Sequence, residues 1–98
     1  MTYELECRYC NQKSFYGKAL VKEVTQLIDE KNVVIKVLSS YGTVVAKIID
    51  YGDRTKYIYY GSYSRTTSRH QREFFMQNGL TYDEVTKLFR SRTGELEI

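Results

Sequence analysis

Cys7-Arg8-Tyr9-Cys10 sets two thiols two residues apart, a spacing from which both can reach one metal ion across a tight turn. Soft sulfur ligands select zinc. A structural zinc site needs four ligands, and the chain has no further cysteine. His70, the single histidine, is the natural third ligand if the fold brings it near, and Glu6 is the nearest carboxylate for a fourth. Alternatively, two copies of the pair meet across a two-fold axis and make a four-cysteine site in a homodimer. The plain alternative is that both cysteines are small side chains without a ligand. A thioredoxin-like redox role is disfavoured. The pair does not lie between a strand and an evident helix, whose dipole would activate a thiol. For His70 the choices are a metal, a proton, a phosphate, or packing within the fold. Catalysis needs an oriented partner for it, and no glycine-rich phosphate loop or nucleophile elbow is present. No enzyme is expected.

A second group is electrostatic. Arg54, Lys56, Arg65, Arg69 and Arg72 follow one another with no acidic residue between Arg54 and Arg72. Helical spacing puts Arg65 with Arg69, and Arg69 with Arg72, on one face. Cations at a helix start oppose its macrodipole, so an anion or an acidic partner would relieve them. Tyr57, Tyr59 and Tyr63 lie close by in sequence. Arginine with tyrosine suits single-stranded nucleic acid, and it suits a protein hot spot equally. The alternative is a solvated basic face.

The elements that carry these residues can be read from period and punctuation. Tyr3, Leu5 and Cys7 alternate with charged residues and predict a short first strand. Cys10-Asn11-Gln12 and Gly17 read as loop. Ala19–Ile28 fits either period and is assigned to strand, because sequential strands tend to pair. Asn32 reads as a turn residue. Strands are expected at Val33–Leu38, Thr43–Ile49 and Lys56–Tyr60, with turns at 39–42 and 50–53. On the middle one, Val44, Ala46 and Ile48 should share a face. The period then becomes helical. Thr66 or Thr67 caps a helix that runs to about Asn78 and ends at Gly79, with Phe74 and Phe75 inward. Thr81-Tyr82-Asp83-Glu84 is a capping box for a second helix carrying Val85, Leu88 and Phe89. After Arg90 the tail is polar and is expected to fray. The fold class is α+β: an antiparallel β-meander of three to five strands, with two C-terminal helices packed on one face.

Ninety-eight residues suffice for one domain, taken as 1–98. Ten Tyr and four Phe supply buriable area and argue against disorder. A net charge of +3 is too small to establish nucleic-acid binding. No apolar run reaches the roughly 20 residues of a membrane helix. The N-terminus shows no basic or apolar leader, so a cytoplasmic protein is expected.

Several short blocks carry a resemblance. Thr43-Val44-Val45-Ala46-Lys47-Ile48, Tyr63-Ser64-Arg65-Thr66-Thr67-Ser68-Arg69-His70 and Phe74-Phe75-Met76-Gln77-Asn78-Gly79 occur in the order of a small uncharacterised domain family. Asn11–Ala19 resembles its first segment. The family is similar to domains of phages and mobile elements in Gram-positive bacteria. The resemblance implies that His70 belongs to the fold. By analogy of class, small single-domain phage proteins without catalytic motifs include inhibitors of type II CRISPR nucleases. The function expected is therefore a phage-encoded anti-CRISPR protein that binds a type II effector nuclease stoichiometrically, with structural zinc. A nucleic-acid-binding module of a mobile element is the alternative.

Overall fold

Alternating β-branched residues and two-residue turns commit the first two-thirds of the chain to strands. The computed structural model describes residues 1–10, 15–61 and 63–98. The loop expected at Asn11 and Gln12 lies outside the described residues. The elements are β1 (Thr2–Glu4), β2 (Ala19–Ile28), β3 (Lys31–Ser40), β4 (Thr43–Asp50), β5 (Thr55–Tyr59), α1 (Arg65–Gln77), α2 (Tyr82–Arg90) and β6 (Glu95–Glu97). Among the described residues the strands form one antiparallel sheet in chain order, six strands rather than three to five. Ala19–Ile28 is a strand along its whole length, pairing from Ala19↔Ser40 to Ile28↔Lys31.

Three expectations at strand ends fail for local reasons. Ser39 and Ser40 pair within β3, so Tyr41 and Gly42 alone make the turn to β4. Asn32 belongs to β3, and the turn is made by Asp29 and Glu30, both at positive φ (49° and 65°). That pair of left-handed residues is the turn whose twist matches a two-residue hairpin. The polar tail does not fray into solvent. Glu95–Glu97 pairs with β5, and Ile98 and Thr55 exchange backbone hydrogen bonds.

On β4 the expected face is broken by a β-bulge. Leu38 pairs with Ala46 but Ser39 pairs with Val44, leaving Val45 as the extra residue. Val44 turns outward and Val45 is buried with Ala46 and Ile48. The bulge frees the Val45 carbonyl, which accepts from Gln71 Nε2 at 3.0 Å and from the Tyr60 amide at 3.3 Å.

Both helices lie against the sheet face that carries Val21, Leu38, Ala46, Ile48, Tyr57 and Tyr59. Phe74 and Phe75 are fully buried there, each contributing about 1.5–3 kcal/mol of apolar transfer. Ser64, rather than either threonine, is the N-cap of α1. It is extended (φ −129°, ψ 169°) and its hydroxyl accepts from the Thr67 amide at 3.1 Å. Thr67 itself is buried. Gly79 at φ +108° follows the C-cap Asn78, as expected. The capping box of Thr81 and Glu84 is present in full.

Candidate partner-binding site

α1 sorts its side chains by face. Thr67, His70, Gln71, Phe74 and Phe75 point inward and are buried. Arg65 and Arg69 are exposed, Arg72 and Met76 half-buried. Glu73 is on the outer side in sequence, yet it is 2% exposed, because the segment after β1 runs along this flank of the helix. Leu5 anchors that segment in the core. The Tyr9 amide donates to Glu73 Oε1 at 2.8 Å. Gln77 Nε2 donates to Glu73 Oε2 at 2.7 Å and to the Glu6 carbonyl at 2.6 Å. A buried carboxylate is costly unless bonded, and here both of its oxygens accept.

Between this segment and α2 lies a shallow depression of about 100 Å³, lined by Tyr9, Cys10, Arg69, Arg72, Glu73, Met76 and Tyr82. Arg72 is fixed in place. Its guanidinium stacks over the Tyr82 ring at 4.1 Å, lies 5.2 Å from the Phe89 ring, and donates to Thr86 Oγ1 at 3.4 Å. That ties α1 to α2. Arg65 and Arg69 form no ion pair among the described residues. α1 has no acidic residue in its first turn to offset them. Tyr9 and Tyr82 are both exposed.

The structure separates residues that sequence spacing had grouped. Tyr57 and Tyr59 share the sheet face under the helices and are buried. Tyr57 donates its hydroxyl to the Asn78 carbonyl at 2.8 Å, and Tyr59 stacks on Phe89 with ring centroids 4.5 Å apart. Neither is available to a partner. Burial raises the Tyr57 hydroxyl pKa above its ordinary value, with Glu84 and Asp50 adding to the effect. Tyr63 remains exposed beside Arg65. The surface tyrosines near the arginines are Tyr9 and Tyr82. Tyr9 stands far from Arg69 in sequence and Tyr82 lies on the next helix, so the fold is what brings them together.

His70 is likewise removed from the cysteines. It is 1% exposed, with Nδ1 2.8 Å from Ser40 Oγ, which also lies 2.9 Å from Thr67 Oγ1. Phe15 meets its ring edge-on at 4.5 Å. Burial lowers its pKa below the ordinary imidazole value. This is a buried network joining β3 to α1. The carboxylate beside the cysteines is Glu73, neither His70 nor Glu6. Cys7 and Cys10 are joined as a disulfide, with Cα atoms 5.7 Å apart, and in that state their sulfurs are not free ligands for zinc.

A larger cleft of about 300 Å³ opens beside the C-cap of α1, between Glu23, Lys36, Asp50 and Asn78. Its charges answer one another. Lys36 Nζ donates to Asn78 Oδ1 at 2.6 Å and lies 3.7 Å from Glu23. Among the described residues, no helix is long and apolar enough to cross a membrane.

Comparison with known proteins supplies a family and no activity. The chain belongs to a family of unknown function (DUF8033), whose model matches residues 3–90. No curated protein matches, and no solved structure matches.

Proposed function

We propose that this chain is a non-catalytic binding module whose α1 outer face holds a segment of another protein. The observation that carries the reading is the depression between Tyr9, Cys10, Met76 and Tyr82, with Arg69 and Arg72 beside it. Tyr, Met and Arg are enriched at the cores of protein interfaces. Hot spots gather where such residues surround a small pocket that excludes water. The complementary segment is an apolar side chain next to a carboxylate. The apolar group fills the depression, and the carboxylate takes Arg69, which has no ion pair among the described residues. Arg65 and Tyr63 extend the contact toward the start of the helix.

Within that reading, the finer identity is the one suggested by analogy of class: a phage-encoded anti-CRISPR protein that occupies a type II effector nuclease. Small size, one sheet covered by one layer of helices, and an arginine–tyrosine face support it. So does the burial of His70 and Ser40, which keeps the one imidazole–hydroxyl pair inside the fold. The test is a cleavage assay. Guide-loaded nuclease is mixed with target DNA and increasing amounts of the protein. Loss of cleavage near an equimolar ratio is the expected result. Full cleavage at large excess removes the anti-CRISPR reading.

Nucleic-acid binding keeps one observation in its favour: Arg65 and Arg69, at the start of α1, form no ion pair among the described residues. Two of its three expected stacking rings, Tyr57 and Tyr59, are buried, while Tyr63 stays exposed. It predicts binding to single-stranded oligonucleotides that weakens steeply with salt. A mobility assay at two salt concentrations separates it from the protein-binding reading.

A further inference from the structure

We infer that Cys7, Cys10 and Glu73 form a redox-gated metal site: closed as a disulfide, and open to one zinc-class ion once reduced. One sulfur from each cysteine and one Glu73 oxygen lie within 4.8 Å of one another. A tetrahedral ion with bonds of about 2.0–2.3 Å needs donors within roughly 4 Å of each other. The three donors therefore need only small rotations once the S–S bond is gone. Two thiolates and a carboxylate suit zinc and exclude calcium or magnesium, which take all-oxygen sites.

Glu73 makes this more than a cysteine pair. Its carboxylate is buried, with Oε1 held by the Tyr9 amide and Oε2 by Gln77. Each oxygen keeps a second lone pair for a ligand bond. Those hydrogen bonds fix the carboxylate from behind, as outer partners of metal ligands do. They also tie it to the backbone of the Cys-x-x-Cys segment itself. The ligand set differs from one built on His70, whose Nδ1 is committed to Ser40. Arg69 and Arg72 line the same depression as Cys10 and Glu73, and offset the charge that two thiolates and a carboxylate bring together. Three protein donors leave the fourth position to water.

The chemistry balances without a further protein group. A phosphine reductant gives two electrons to the disulfide and takes the oxygen of water, leaving two thiols and the phosphine oxide. Zinc then displaces both thiol protons to solvent. A small-molecule disulfide such as oxidised glutathione reverses the first step by thiol–disulfide exchange.

The experiment is a cobalt(II) titration of the full chain, read by thiolate-to-cobalt charge-transfer absorption, followed by displacement with zinc. Phosphine-reduced protein is expected to bind about one equivalent and to melt at a higher temperature with zinc. Protein re-oxidised with glutathione disulfide is expected to bind none. Cys10→Ser should abolish uptake, and Glu73→Gln should weaken it at least tenfold while keeping the wild-type circular dichroism. Fully reduced protein that takes up neither cobalt nor zinc overturns the site. If Glu73→Gln misfolds, a carboxylate ligand is read instead from the cobalt spectrum of the wild type. A spectrum of sulfur ligation from two chains per ion overturns Glu73 as the third donor.

Discussion

At the scale of single residues, the sequence exposed which side chains carry chemistry but not how they are grouped. Cys7 and Cys10 were legible as a pair because their spacing is local. Glu73, which completes the group, lies 63 positions beyond Cys10, and nothing in its neighbours marks it as buried. A similar distance hid Tyr9 as a companion of Arg69 and Arg72, and Tyr82 sits on a different helix, while Tyr57 and Tyr59 went into the core. His70 gives a prediction at this scale. Burial holds its pKa below the ordinary imidazole value, so the folded chain stays neutral where the unfolded chain takes up a proton. The stability from this group is present above about pH 6.5 and is lost as pH falls below it. The urea midpoint should therefore drop between pH 7.5 and pH 5.5, roughly one unit either side of the free value. His70→Gln, which keeps a partner for Ser40, should show a smaller drop. An equal drop in both proteins would assign the dependence to other groups.

At the scale of elements, strand and helix periods were readable wherever a segment obeys one rule, and misread where a single residue breaks it. Val45 is an example. Its bulge turns Val44 away from the face kept by Ala46 and Ile48, and no local residue type announces that. β6 was missed because three residues of alternating Glu and Leu are too short to signal a strand. It forms because the chain leaves α2 beside the open edge of β5. Gly94 makes that approach, at φ +68°, with its carbonyl 2.6 Å from the Tyr59 amide. A Cβ there would run into the Tyr59 backbone carbonyl. Gly94→Ala should cost about 1–3 kcal/mol, lowering the melting temperature by several degrees. An unchanged melting temperature would mean that β6 contributes little. The β2–β3 turn predicts the opposite sign. Glu30 carries a side chain at φ 65°, where glycine fits without penalty. Glu30→Gly should stabilise by about 0.5–1 kcal/mol, read as a higher urea midpoint at unchanged slope.

At the scale of the whole molecule, one sheet face is covered by helices and the other is open. The open face alternates Val24, Ile35, Val37, Ile49 and Ile58 with Lys22, Lys47 and Lys56. Interleaved lysines keep such a face soluble, and the sheet ends in two three-residue edge strands, β6 carrying Glu95 and Glu97. The fold class and the two-helix layer could be read from the sequence because they follow from period alone. The binding face could not, because it is assembled from the segment after β1, α1 and the start of α2. That assembled face is the central claim, and one comparison tests it most directly. Cleavage by a guide-loaded type II nuclease is titrated with the wild type, with Arg69→Glu on the α1 face, and with Lys47→Glu on the open sheet face. The account predicts inhibition near equimolar ratio by the wild type and Lys47→Glu, and about tenfold or weaker inhibition by Arg69→Glu, the loss expected at a hot spot. Inhibition by Arg69→Glu equal to the wild type, or loss in Lys47→Glu instead, would contradict it.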